Sequence, residues 1–143
     1  MIAIARRITL FGMLAMAMAM AGCGDDDDDG IGPADITGTY LLRSVNGDPL
    51  PYTLFEGGGF KSEIVSSQLV LNAGGTWTQV AQIRDTESGS APVTTPENSS
   101  GTYVRNGRTL VLTDQDDDQL EVTIQNDGAL ILAGDGLTAR FTK

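Results

Sequence analysis

The chain is expected to fold mainly as an antiparallel β-barrel, and three features of its sequence predict this. After Pro33, β-branched and aromatic residues alternate with threonine, serine and glutamine, as in strands with one buried and one solvated face. Turn signals recur, and Asn106-Gly107 in VRNGRTLVL is the strongest, because a type I′ hairpin turn needs positive φ at both central residues. No stretch after residue 33 has a convincing helical period. These features predict an all-β, small antiparallel up-and-down barrel or curved meander of eight or nine short strands, which limits exposed sheet edges.

Residues 1–22 have the character of a secretory signal peptide. Arg6 and Arg7 precede an uncharged stretch, ITLFGMLAMAMAMAG, that ends at Gly22. This stretch is shorter than the roughly 20 apolar residues of a membrane span, but it suits the apolar core of a signal peptide. All five methionines lie in this leader, and the composition changes abruptly at Cys23. We therefore expect the leader to be removed.

Cys23, the only cysteine, is the expected site of a lipid anchor. The stretch Met20-Ala21-Gly22-Cys23 resembles the lipobox of bacterial lipoproteins, in which an apolar residue and two small residues precede an invariant cysteine. The resemblance implies that Cys23 receives a diacylglycerol and that cleavage occurs just before it, so that acyl chains hold the protein to a membrane. Met20 stands where the family usually has leucine. The alternative is a signal peptide cleaved elsewhere, with Cys23 a bystander.

Residues 23–33 are expected to form a flexible acidic tether. The five consecutive aspartates Asp25–Asp29 repel one another, and such a run stays solvated and extended. A tether of this kind would lift a domain off the membrane surface. In some bacterial groups, acidic residues close behind a lipidated cysteine influence sorting, so an address is the sharper alternative. The resemblance places the protein in the cell envelope, with the outer membrane, on its periplasmic or surface face, as the expected location.

Residues 34–143 are expected to form one β-barrel domain. In LEVTIQ, for example, Leu120, Val122 and Ile124 point one way, and the residues between them point the other way. The segment 85–100, DTESGSAPVTTPENSS, breaks this rhythm and is predicted to be a long exposed loop because it contains two prolines and many small polar residues. The strands are expected at 36–45, 50–55, 62–71, 76–84, 100–105, 108–114, 119–125, 129–133 and 137–142.

Charge and residue types exclude several classes of function. The chain has a net charge of −10, and removal of the leader with its two arginines makes this −12, which argues against nucleic acid as a partner. There is no histidine, and Lys61 and Lys143 are the only lysines. Serine–histidine triads, thiol–histidine pairs and zinc sites are therefore excluded, and we expect neither an enzyme nor a cofactor.

The acidic segment 114–118 could suggest a calcium loop, because aspartates alternate at its start. Gln119 and Gln125 stand where such a loop requires glycine and glutamate, and the flanking segments are predicted strands. We expect a solvated hairpin tip and no metal site.

A triplet of glycine, threonine and an aromatic residue occurs three times, and its aromatic residues are Tyr40, Trp77 and Tyr103. The stretches ITGTYLLRSVNGDPLP, LVLNAGGTWT, SGTYVRNGRTLVLTD and GLTARFTK make the domain resemble small lipocalin-like domains of bacterial lipoproteins. Tyr40 stands where lipocalins proper have a tryptophan on the first strand. The resemblance also implies a basic residue near the last strand that covers this aromatic; Arg140 is the candidate, although alternation puts it opposite Phe141.

Two functions remain open. The first is a cup that binds a small apolar or amphipathic molecule, with Tyr40, Trp77, Tyr103 and Phe141 as candidates for its wall. The second is a structural or interaction protein of the envelope, whose barrel is filled by its own side chains and whose partners are proteins. Strand aromatics usually pack in the core, and eight strands leave an interior that side chains can just fill. Chain length therefore favours the filled barrel slightly.

Overall fold

The computed structural model describes residues 36–143. The predicted signal peptide, Cys23 and the acidic tether lie outside these residues. The described part of the chain is built of antiparallel strands. In chain order they are β1 (Gly38–Val45), β2 (Asp48–Pro49), β3 (Tyr52–Gly57), β4 (Phe60–Leu71), β5 (Thr76–Glu87), β6 (Val93–Asn106), β7 (Thr109–Asp114), β8 (Gln119–Ile124), β9 (Leu130–Gly134) and β10 (Leu137–Thr142).

Eight of these strands close into an up-and-down barrel. From β4 to β10, each strand pairs with the next along the chain. The barrel closes through β1, which pairs with β10 on one side and, over Gly38–Leu41, with the end of β4 on the other. The predicted all-β antiparallel barrel is confirmed.

The hairpin turns explain why most strands pair with the next strand along the chain. Positive φ angles occur at these turns, where the sequence places asparagine, aspartate and glycine. Asn46 and Gly47 have φ angles of 54° and 87°, as a type I′ turn requires, and Asp135-Gly136 is similar. The strongest predicted turn differs in detail: Asn106 ends β6 by pairing with Thr109, and only Gly107 has a positive φ, of 61°. The hairpin is present, but its two-residue loop is Gly107-Arg108.

Three long strands extend beyond the barrel and form a second feature, which we call the apron. It comprises β3 and the adjoining parts of β4, β5 and β6, at 52–57, 60–64, 83–87 and 93–95. An irregularity in the β4–β5 ladder between Ile64 and Ser66 marks the junction of apron and barrel. The two-residue strand β2 pairs with the last two residues of β1.

The predicted long loop at 85–100 is wrong. β5 continues to Glu87 and β6 begins at Val93, so the connection is a short turn over residues 88–92. Pro96 lies within β6, opposite Gln82 of β5. Proline is tolerated there because β7 pairs with β6 only from Gly101 onward, so within the described residues this half of β6 is a sheet edge.

The barrel interior holds one apolar core. We call the end where Ile36 and Lys143 lie the terminal end, and the opposite end the apron end. Partly buried Leu50, Tyr52 and Ile64 pack against the core from the apron end. The buried members of the core are Ile36, Tyr40, Leu42, Val45, Leu69, Leu71, Trp77, Leu110, Leu112, Val122, Ile124, Leu130, Leu132 and Phe141.

A close approach of β6 and β7 depends on Gly101, which lies opposite Trp77 in the neighbouring ladder. A Cβ atom at Gly101 would stand 1.8 Å from the carbonyl oxygen of Thr113 in β7. The indole Nε1 of Trp77 donates a hydrogen bond to the same carbonyl over 3.3 Å. Glycine is therefore required where the indole reaches β7.

Candidate functional site

The four wall candidates all belong to the barrel interior. Tyr40 and Phe141 are each 1% exposed and Trp77 is 6% exposed, and all three are members of the core cluster. Tyr103 is half-buried and packs against the same cluster. The structure therefore brings the four side chains together in one packed cluster.

The polar atoms of these aromatic side chains are bonded to backbone. The Tyr40 hydroxyl donates to the carbonyl of Ile36 over 2.8 Å, and the Tyr103 hydroxyl donates to the carbonyl of Asn72 over 2.7 Å. With the indole bond to Thr113, every polar atom among the four candidates has a partner within the chain. Such satisfied groups are typical of core aromatics.

The ring of Tyr40 is covered by Lys143, whose Nζ lies 5.3 Å from the ring centroid, within the range of a cation–π contact. Burial raises the pKa of the Tyr40 phenol; nearby Tyr103 adds to this, whereas the positive charge of Arg105 opposes it. Arg140, the candidate for this covering position, instead forms a 2.5 Å ion pair with Asp127. Alternation could have indicated Lys143, because it lies two residues after inward-facing Phe141.

Toward the apron end, the interior becomes more polar. Gln79 donates a hydrogen bond from its side-chain nitrogen to the Ser67 hydroxyl over 2.9 Å. Ser67 is only 4% exposed, so this bond satisfies a buried polar group. Sequence alternation places both residues on the inner face, but neither was singled out as a candidate.

A cleft lies between β8 and β9 at the apron end. These strands pair only at residues 122–124 and 130–132, and beyond Val122 and Leu132 no further ladder pairs form. The resulting cavity has a volume of about 440 Å³. It is lined by Asp118, Gln119, Leu120, Glu121, Ala133, Gly134 and Asp135. Apolar side chains beside three carboxylates suit a small amphipathic molecule with a positive group. The volume of the cavity lies within the range of small-molecule sites.

The apron carries a charge cluster centred on the buried carboxylate of Glu63, whose partners Lys61 and Arg84 are partly exposed. Its carboxylate lies 2.7 Å from Lys61 Nζ and 2.8 Å from the Arg84 guanidinium, and Glu63 is 6% exposed. The hydrogen bond from Lys61, and to a smaller extent that from Arg84, holds the pKa of this carboxyl below its usual value.

Because the folded-state pKa of Glu63 is depressed, its stabilising contribution is present above the ordinary glutamate pKa and is lost as the pH falls through the folded value. We expect Glu63→Gln to flatten the acid side of the stability profile, so that the free energy of unfolding falls less between about pH 5 and pH 3 than in wild type. Urea unfolding across this range measures the difference. Glu121→Gln, which removes an exposed carboxylate, is the matched control; equal slopes for wild type and Glu63→Gln would contradict the assignment.

The aspartates at 114–118 form a hairpin tip. One carboxylate oxygen of Asp114 accepts hydrogen bonds from the backbone N–H groups of Asp116 and Asp118, over 2.8 and 3.0 Å. Asp117 has a φ of 64°, which completes the turn. Within residues 36–143, no group of three or more acidic side chains is arranged to hold a metal ion.

Comparison with protein-family profiles, curated proteins and solved structures found no match. Among the described residues, no helix is both long enough and apolar enough to cross a membrane.

Proposed function

We propose that this chain is a lipid-anchored, non-catalytic protein of the bacterial cell envelope whose barrel is filled by its own side chains and which acts through contacts of its surface with envelope proteins. The anchor part rests on the lipobox-like stretch that ends at Cys23. Its place would be the outer membrane, on the periplasmic or surface face.

One observation carries the filled barrel. Three of the aromatic side chains that would line a ligand cup are buried members of the core and the fourth, Tyr103, packs against it, and their hydroxyl and indole groups are bonded to backbone. A ligand wall would instead present apolar surface and unpaired polar groups to a cavity.

A second candidate function keeps a small amphipathic ligand but moves it out of the barrel core. The specific observation is the cleft between β8 and β9, where Leu120 and Ala133 lie beside acidic side chains. A protein without a ligand and one whose cleft is occupied differ in a measurable property, the native mass of the protein purified from its cell.

Lipid attachment has its own test. We expect Cys23→Ala to abolish incorporation of labelled fatty acid and to leave the protein unanchored, because no other cysteine can accept the diacylglycerol. Metabolic labelling of the full chain in a bacterial host, followed by gel fluorography, measures this. Met20→Leu, which restores the residue usual in the family, is the control and should label as well as wild type. Equal labelling of the alanine variant would contradict the anchor.

A further inference from the structure

The terminal end of the barrel carries a ring of positive charge. Arg105 and Arg108 flank the β6–β7 turn, Arg140 reaches the β8–β9 turn at Asp127, and Lys143 follows β10. We call these four basic residues the basic rim.

One pocket lies at this end of the barrel; of the rim residues Lys143 lines it, and so does the acidic Asp127. This pocket, of about 190 Å³, is lined in part by Tyr40, Ile124 and Lys143. Arg105 acts electrostatically on Tyr40, and the backbone carbonyl of Arg108 accepts a 2.7 Å hydrogen bond from the N–H of Ile124. The basic rim therefore lies at the same end of the barrel as this pocket.

This concentration of positive charge contrasts with an acidic chain. The described residues contain seven lysines and arginines, of which four form the rim. Among the described residues, the acidic side chain at this end is Asp127, which is already paired with Arg140. Most other carboxylates of the described residues lie in the apron and in turns at the opposite end, including the tip at 114–118. The rim thus suits an anionic partner.

We propose that the aspartate run Asp25–Asp29 of the same chain docks on the basic rim. The described chain begins at the terminal end with Ile36, which is 2% exposed and lines the same pocket. Asp29 precedes Ile36 by seven residues, which reach at most about 25 Å when extended. Such a short connection gives an effective concentration in the millimolar range.

Charge complementarity favours this occupant. Five adjacent carboxylates repel one another, and contact with the cationic side chains of the rim relieves that repulsion. Each exposed ion pair contributes little alone, so docking depends on the number of charges and is screened by salt. The docked run would turn the terminal end of the barrel toward Cys23 and shorten the tether. This inference does not require Cys23 to be acylated.

The two lysines of the chain can report where the aspartate run docks, since Lys143 lies in the rim and Lys61 lies in the apron. We would treat the full chain, purified in zwitterionic detergent, with a carbodiimide, which joins a carboxylate to an amine as an amide with loss of water. Proteolysis and mass spectrometry then locate the links. We expect links from Asp25–Asp29 to Lys143 to exceed those to Lys61 by about fivefold or more at low salt, and the excess to vanish near 1 M salt, where the Debye length is about 3 Å.

Two variants with the same change in net charge supply the control. Arg108→Gln removes a positive charge from the rim and should lower the Lys143 links, whereas Ala91→Glu adds a negative charge in the β5–β6 turn and should leave them unchanged. Equal linking to the two lysines at low salt, or equal effects of the two variants, would overturn the proposal. Loss of the Lys143 links when the micelle contains an anionic phospholipid would also overturn it and would assign the rim to a lipid surface. The mass of the Cys23 peptide in the same digest reports acylation separately.

Discussion

Replacing Gly101 with alanine is expected to destabilise the barrel by about 3 kcal/mol, the upper part of the range for an overpacked interior. The new Cβ atom would stand 1.8 Å from the Thr113 carbonyl oxygen and 2.9 Å from the Asp114 Cα. These are backbone atoms of a paired strand, so the strain cannot be relieved by rotating a side chain. The indole of Trp77, which donates to the same carbonyl, would lose its partner as β7 moved away.

Urea unfolding followed by the fluorescence of Trp77, the only tryptophan, measures this effect. Gly74→Ala is the matched control, because a Cβ atom there would meet nothing within 4 Å. That substitution should change the free energy of unfolding by less than about 0.5 kcal/mol. If Gly101→Ala fails to fold, circular dichroism reports the loss directly. Equal unfolding midpoints for the two variants would contradict the close approach of β6 and β7.

Replacing Phe141 with alanine is expected to cost about 3–5 kcal/mol, the range for removing a buried aromatic side chain. Phe141 is 1% exposed and packs within the core cluster, so the substitution leaves a cavity that its rigid neighbours cannot fill. A residue of a preformed ligand wall would lose fewer packed neighbours and would cost less stability.

Phe55→Ala is the matched control, since it removes the same side chain where that side chain is 57% exposed, on the apron. It should cost less than about 1 kcal/mol, the small remainder coming from contacts with Phe60, whose ring centroid lies 6.2 Å away. Urea unfolding of both variants gives the comparison. Similar losses for Phe141→Ala and Phe55→Ala would show that the interior is not tightly packed.

Most of the fold could be predicted from the sequence because turn chemistry and strand alternation agree along the barrel. The expected strand at 137–142 matches β10, and that at 62–71 lacks only the first two residues of β4. Turns such as Asn46-Gly47 need positive φ, which asparagine and glycine supply, so the strand ends are set locally. Closure of the barrel is favoured because pairing β1 with both β10 and β4 removes most free strand edges.

The apron could not be predicted because its strands depend on pairing and not on local sequence. Pro96 normally argues against a strand, and its position becomes acceptable only where β6 forms a sheet edge beside β5. The four aromatic candidates were identified from sequence, but periodicity cannot distinguish a packed core from a ligand wall. The cleft between β8 and β9 was missed for a related reason: a gap between strands is set by how far their ladder extends.

The measurement that tests most directly whether this filled barrel acts without a ligand is native mass spectrometry of the full chain, purified gently in detergent from its source cell. We predict that the protein carries no added mass beyond its covalent modifications, because Tyr40, Trp77 and Phe141 already fill the interior with their neighbours. Denatured and native samples would then give the same protein mass. A stoichiometric added mass that disappears on denaturation would contradict the filled barrel as an unliganded protein, and its identity would name the ligand.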